Sequence, residues 1–349
     1  MSAKEYGVFL PIGNGGWMLS GTAPHPEATY AYNRRVAVDA EQIGLDFIMS
    51  MAKWKGFGGS TDHWGQTLES MTLMSALAEA TSRVRIWATM HANIHHPAIA
   101  AKMFTTLQDV SAGRAGMNIV NGSYAAEFEQ MGLWDPALSH AERYRMTEEW
   151  TQAVTRLWTE DSVTMKSDFF TLDECESRPH PATRPAIISA GRSEPGRRFQ
   201  ARYADGAFLS ADNLDQMRDF SRSVHDMAAG FGRTVHTYSM LTVVLDDTDD
   251  AAAAKAARYS AGLDTQALIN MRTSWGIPAE TARAWAEGAT GTEAFQTPYV
   301  TGNADTVTAH IQQIMAEAEL DGLMLIFPDY HADLLPFGET VLPALRAAE

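Results

Sequence analysis

Asn118 lies within the apolar run Gly116-Met117-Asn118-Ile119-Val120. A polar amide there needs partners, because burying it without hydrogen bonds costs about 1–3 kcal/mol. Thr89 ends the run Val84–Thr89 in a similar position. An amide and a small hydroxyl at strand ends form an uncharged polar patch, and the missing partner at such a position is often a ligand. A second constellation suits an anion. Ala186–Gly191 reads as a strand, and Arg192-Ser193-Glu194-Pro195-Gly196 opens a helix, with Ser193 as N-cap and Pro195 in the first turn. The free N–H groups of that helix start can hold a phosphate, although an ordinary capped helix has the same spacing. Arg143-Tyr144 heads another helix and offers a second phosphate contact, or a plain surface pair.

Other chemistries are weaker. His95-His96 are adjacent and diverge, so they read as loop histidines lining a pocket; Asp62-His63 has no second ligand pair, and no metal is expected. Cys175 is the only cysteine, which excludes an intrachain disulfide. There is no GxSxG elbow, and Gly13-Asn14-Gly15-Gly16 has the wrong spacing for a dinucleotide fingerprint. With 27 Lys+Arg against 43 Asp+Glu, the net charge of −16 excludes a generic nucleic-acid binder. No signal-peptide pattern opens the chain, and no stretch approaches the roughly 20 apolar residues that cross a bilayer. A cytoplasmic protein that avoids membranes is expected.

The elements that must position these residues are short apolar runs alternating with helical segments. The runs are Tyr6–Pro11, Leu45–Ser50, Val84–Thr89, Ala115–Val120, Ala186–Ala190, Gly206–Leu209, Met240–Leu245 and Gly322–Phe327. Segments between them, such as Leu68–Ala80, repeat near 3.6 residues. The alternation predicts an α/β protein with parallel strands, and eight units fit a (β/α)8 TIM barrel with insertions; an open doubly wound sheet is the competing architecture. One domain over 1–349 is expected, with three additions: a Gly- and aromatic-rich loop Met51–Gln66 after a strand end, a small hairpin at Val163–Thr171, and a lid-like insertion at Gly262–Thr301.

Longer motifs carry a resemblance. Val8-Phe9-Leu10-Pro11-Ile12-Gly13-Asn14-Gly15-Gly16-Trp17, Ser50-Met51-Ala52-Lys53, Gly56-Phe57-Gly58-Gly59, Leu68-Glu69-Ser70, Glu127-Phe128-Glu129-Gln130-Met131-Gly132, Gly191-Arg192-Ser193 and Ala201-Arg202-Tyr203-Ala204-Asp205 stand in this sequence. Together they resemble the pyrimidine (uracil) monooxygenase branch of the bacterial-luciferase-like flavin monooxygenases, a (β/α)8 barrel family. The similarity runs through about the first 205 residues and resumes over Ala304–Pro343.

The resemblance implies FMN contacts at Ala52, Lys53, Asn118, Glu127, Arg143, Tyr144 and Ser193, with the phosphate at the Ser193 helix start and the Arg143-Tyr144 pair. It implies a catalytic oxygen pocket at Thr89 and Asn118, where a flavin peroxide made from O2 and reduced FMN delivers oxygen to the substrate. The reduced FMN would come from a separate NAD(P)H-dependent flavin reductase, making a two-component system. Family habit implies a homodimer or homotetramer. Departures bear on the substrate. Asn121-Gly122-Ser123 stands where the pyrimidine branch has Thr-Gly-Trp, and Met90–His96 replaces a small, hydroxyl-rich stretch. These departures cost a planar pyrimidine a stacking partner and imply a polar or larger ligand bearing an amide, ester, sulfonyl or carboxyl group. Leu68, Ser123, His91 and Trp54 are expected to face the substrate, and the resemblance itself implies a small amide-containing or heterocyclic one such as a pyrimidine. C–S cleavage of a sulfone or sulfonate, and a deazaflavin-dependent reductase of the same fold, are the alternatives.

Overall fold

Strands that are apolar on both faces can be covered only by helices outside and side chains inside, which is the condition for a closed parallel barrel. In the computed structural model, which describes residues 3–122, 124–209, 211 and 213–348, they take that form. The strands are β1 (Glu5–Phe9), β2 (Phe47–Met49), β3 (Arg85–His91), β4 (Ala115–Val120), β5 (Val163–Lys166), β6 (Thr171–Cys175), β7 (Ala186–Ala190), β8 (Gly206–Leu209), β9 (His236–Leu245), β10 (Tyr299–Gly302) and β11 (Gly322–Ile326). Parallel pairing runs β1-β2-β3-β4-β7-β8-β9-β11 and returns to β1. Closure is visible in the register, with Gly206 opposite His236 between β8 and β9 and Gly7 opposite Met324 between β1 and β11. An open doubly wound sheet would have two free edges here.

The barrel floor is aromatic. Phe47 stacks on Trp87 at 4.0 Å and Phe208 on Tyr238 at 4.8 Å, with edge contacts between the two pairs. Rings this large fit because neighbouring strands carry no side chain beside them: a Cβ on Gly7 would lie 2.2 Å from the Phe47 ring, and one on Gly116 would lie 2.3 Å from Trp87. The interior is therefore filled toward the strand starts and open toward their C-terminal ends, where barrel active sites lie.

Strand β9 is longer than its apolar run. Its first half includes Thr237 and Ser239, which are buried but satisfied by Asp321, Ser221 and Leu209. Its last four residues, Thr242–Leu245, pair with β10, which lies outside the closed ring. Strands β5 and β6 pair antiparallel, Val163 opposite Cys175, between the helix His140–Leu157 and β7.

Residues 262–301 fold as the helices Thr265–Ser274 and Ala279–Glu287, a 3-10 turn at Thr292–Phe295, and β10. The segment is bonded to the loops after β1 and β2. Gly21 N donates to Gly262 O at 2.8 Å, and Leu19 N to Ala294 O at 2.8 Å. The Asp264 carboxylate accepts from Thr61 N at 2.7 Å and Thr61 Oγ1 at 2.8 Å, while Asn270 Nδ2 donates to Phe57 O at 2.7 Å. These bonds make the insertion a roof fixed to the barrel mouth. Among the described residues no helix is long and apolar enough to cross a membrane.

Candidate active site

The open end of the barrel encloses a cavity of about 790 Å³. Its floor and lower wall come from strand ends, among them Thr89, His91, Asn118 and Val120; its side wall comes from Ala52, Lys53, Phe57 and Trp64 after β2; its roof is the insertion, through Arg272, Trp275 and Gln296.

Thr89 and Asn118 are register partners on β3 and β4, so both project inward at one level. Asn118 Nδ2 donates to Thr89 Oγ1 at 2.8 Å, and Thr89 Oγ1 in turn donates to Ser50 O. Ser70 Oγ accepts from Thr89 N at 3.0 Å and shares a 2.7 Å hydrogen bond with Ser50. Because the threonine proton is committed to Ser50, the asparagine must present its N–H₂ to Thr89. That fixes the amide and leaves Asn118 Oδ1 buried without a partner, on a residue that lines the cavity. An orphaned acceptor of this kind calls for a donor from a ligand.

Lys53 and Glu127 form a second unit. Their side chains are 3.2 Å apart and only 9% and 5% exposed. Lys53 Nζ also lies 4.5 Å from the Phe57 ring centre and 4.6 Å from that of Tyr124. Burial lowers the Lys53 ammonium below its usual pKa, with the Glu127 carboxylate opposing the shift. Glu127 also accepts from the Trp54 backbone N–H, so one carboxylate holds two consecutive residues of the β2 loop.

The two expected phosphate elements meet. Ser193 caps the helix Glu194–Tyr203, accepting from Gly196 N at 3.2 Å, with a proline in the first turn. The Tyr144 hydroxyl packs on that turn: Cβ atoms on Gly191 and Gly196 would lie 2.8 and 2.6 Å from it. Burial raises the Tyr144 phenol pKa, and nearby Ser193 and Asn121 offset part of the shift. Beside it, Arg143 donates to Leu138 O at 2.8 Å and lies over Trp134, while its Nε is buried and unpartnered. Asn121 Nδ2 and Arg197 Nε are likewise buried donors without acceptors. Unmatched donors on this helix and on the Arg143-Tyr144 segment suit the oxygens of a phosphate.

Of the residues expected to contact flavin, Ala52, Lys53, Asn118 and Glu127 line the cavity, and Arg143, Tyr144 and Ser193 gather beside its lining residues Asn121, Gly191 and Arg192. Of those expected to face substrate, His91 lines the cavity. Trp54 does not line it but donates its indole N–H to His91 Nδ1 at 3.4 Å. Leu68 packs against the core away from the lining, and Ser123 lies outside the described residues. The other loop histidines do structural work: His96 caps the helix Pro97–Val110, and His95 Nδ1 bonds the His91 carbonyl at 3.0 Å. His63 is fully buried, its pKa pushed down to about 3 by desolvation, with Nε2 3.0 Å from Gln296 of the roof. No cluster of metal-ligating side chains exists among the described residues. The aromatic and roof residues of the cavity were foreseeable only as segments, because no spacing rule links Phe57 or Trp64 to Trp275.

A family model described as luciferase-like monooxygenase matches residues 4–322. Pyrimidine monooxygenase RutA of Methylorubrum extorquens is 35% identical over 352 residues, covering 99% of this chain and 94% of that protein. Among solved structures, long-chain alkane monooxygenase (LadA) superposes with a TM-score of 0.87 at 17% identity, covering 100% of this chain and 92% of its own. Riboflavin lyase (RcaE), solved with modified FMN and its substrate riboflavin, gives 0.86 at 19% identity over 99% and 92%.

Proposed function

Because the chain belongs to the luciferase-like monooxygenase family, we propose that it is a two-component, FMN-dependent monooxygenase acting on a small amide-containing heterocycle of the pyrimidine class. The observation that carries this reading is the oriented Asn118–Thr89 pair, whose one unmatched atom, Asn118 Oδ1, belongs to a residue at the base of the cavity.

Reduced FMN, when bound, supplies the two electrons that let one atom of O2 enter the substrate while the other leaves as water. The chain's own groups do the rest. Arg143, Tyr144 and the Ser193 helix start would hold the phosphate by charge and by N–H and O–H donors. Ala52 and Lys53 of the loop after β2, with Glu127 bonded to that loop, would border the flavin. Thr89 and Asn118 offer hydrogen bonds at the reacting end without a titratable proton that could be lost to the oxidant. The fixed roof and the aromatic wall keep bulk water out, which limits unproductive loss of the oxidant. The source of electrons is a separate NAD(P)H-dependent flavin reductase, and the protein works as a one-domain homodimer or homotetramer in the cytoplasm.

The test combines purified protein, FMN, NADH, a flavin reductase and O2 with uracil, cyclic amides and sulfones. Oxygen-dependent product from uracil or a cyclic amide is expected; product from sulfones alone reassigns the substrate. Tighter binding of deazaflavin than FMN with no oxygen uptake overturns the reading. Asn118→Ala should lower product formation by about 10²-fold, the scale of removing one preorganised polar group at a reacting centre, with FMN affinity changed far less.

A further inference from the structure

Resting on the flavin reading, we propose that His91 is the specificity residue of this site: a neutral imidazole, aimed by Trp54, that donates its Nε2–H to an acceptor oxygen of the substrate, a carbonyl or a carboxylate. The argument starts from the strand. Thr89 and His91 are two residues apart on β3 and share its inward face, so His91 stands one step, about 6–7 Å, above Thr89 toward the mouth. A group bound there lies directly over the Asn118–Thr89 pair.

The tautomer follows from the partner. The Trp54 indole N–H is a donor only, and it points at His91 Nδ1 at 3.4 Å, so Nδ1 must be the acceptor and the proton sits on Nε2. Among the described residues Nε2 has no hydrogen-bond partner, and it is not sealed in the interior as His63 Nδ1 is. Burial, with Lys53 nearby, pushes the His91 pKa down to about 3 and so favours the uncharged ring. Trp54 is the positioning residue. Its backbone is held at both ends, N–H to Glu127 and C=O to Gln130 Nε2 at 2.7 Å, so its indole has a defined direction. The edge-on contact of His91 with Phe128 at 5.1 Å steadies the other side of the ring. A donor with one free direction, placed above the reacting level, selects substrates by whether they carry an oxygen at that height, because a buried N–H left unmatched penalises those that do not.

The experiment titrates uracil, succinimide and benzoate, which bear acceptor oxygens, against pyrimidine, which has no oxygen, by calorimetry, with and without oxidised FMN. His91→Phe should weaken the three oxygen-bearing probes about tenfold, the value of one net hydrogen bond of about 1.4 kcal/mol, and leave pyrimidine within about twofold. His91→Gln, which restores an N–H, should recover part of the loss. Nitrogen-15 spectra of the histidines should show His91 protonated on Nε2, and Trp54→Phe should abolish that preference while the fold persists. Unchanged affinities in His91→Phe, an equal loss for pyrimidine, or a wild-type His91 protonated on Nδ1 overturns the proposal. Wild-type protein that binds FMN but none of the three oxygen-bearing probes also sinks it. Protein that binds those probes but not FMN sinks the flavin reading alone.

Discussion

Lys53 and Glu127 pose a question of purpose at the scale of single residues. A buried ion pair removes two charges from water, and its mutual attraction often only balances that cost. Here the Lys53 pKa is lowered despite its partner, so desolvation outweighs the attraction and the pair is no gain for the fold. Its position in the cavity wall suits the proposed flavin contact, a charge held ready for a ligand. Breaking the pair and removing it should therefore differ. Glu127→Gln leaves the lysine buried and unpaired and should cost about 3 kcal/mol in urea unfolding. The double substitution Lys53→Met with Glu127→Gln, which retains an acceptor for Trp54 N, should return to within about 1 kcal/mol of wild type. FMN affinity should stay impaired in the double variant. A double variant as unstable as Glu127→Gln would mean that the pair holds the loop after all.

Among elements, the aromatic floor sets where the cavity can be. Gly116 sits mid-strand on β4 against Trp87, where an added methyl would overlap the ring unless the strand or the indole moved. Gly116→Ala should therefore cost about 1–3 kcal/mol through overpacking. Gly230→Ala, at the end of the helix Leu214–Gly230 with nothing near its added Cβ, should be neutral or slightly stabilising. Urea midpoints of the two variants decide it, and equal effects would remove the packing argument. The eight barrel strands were legible because burial on both faces leaves an unbroken apolar run, the one pattern that parallel strands write plainly. The first half of β9 was not: Thr237 and Ser239 look like loop residues until Ser221, Asp321 and Leu209 arrive from distant elements to satisfy them. Strand β10 is four residues long and exists because β9 overshoots the barrel and offers it an edge. At the site, Asn118 and Thr89 were legible as polar atoms in apolar runs. The Trp54–His91 bond was not, since it joins residues 37 apart whose meeting depends on how the loop after β2 folds over the end of the neighbouring β3. Leu68 shows the converse, a residue beside a motif that turns to the core instead of the cavity.

For the whole molecule, the charge of −16 and the phosphate of the proposed FMN pull against each other. The cationic groups of the site act at close range; Lys53 in the wall and Arg143 near the cavity are partly buried, so salt screens them little, while Arg192 in the wall is exposed. The excess of acidic groups is spread over the surface and acts at a distance. At about 10 mM salt the screening length is about 30 Å, and an approaching FMN phosphate meets the field of the entire body; at about 150 mM it is about 8 Å, and only the mouth of the cavity is felt. Association of FMN should therefore quicken as salt rises between these limits, while dissociation, governed by contacts already shielded from solvent, stays nearly constant. Stopped-flow measurement of flavin fluorescence separates the two rates. Association that slows with salt would show that the local cations dominate even at long range, and the acidic surface would then have no part in setting how fast the cofactor is captured.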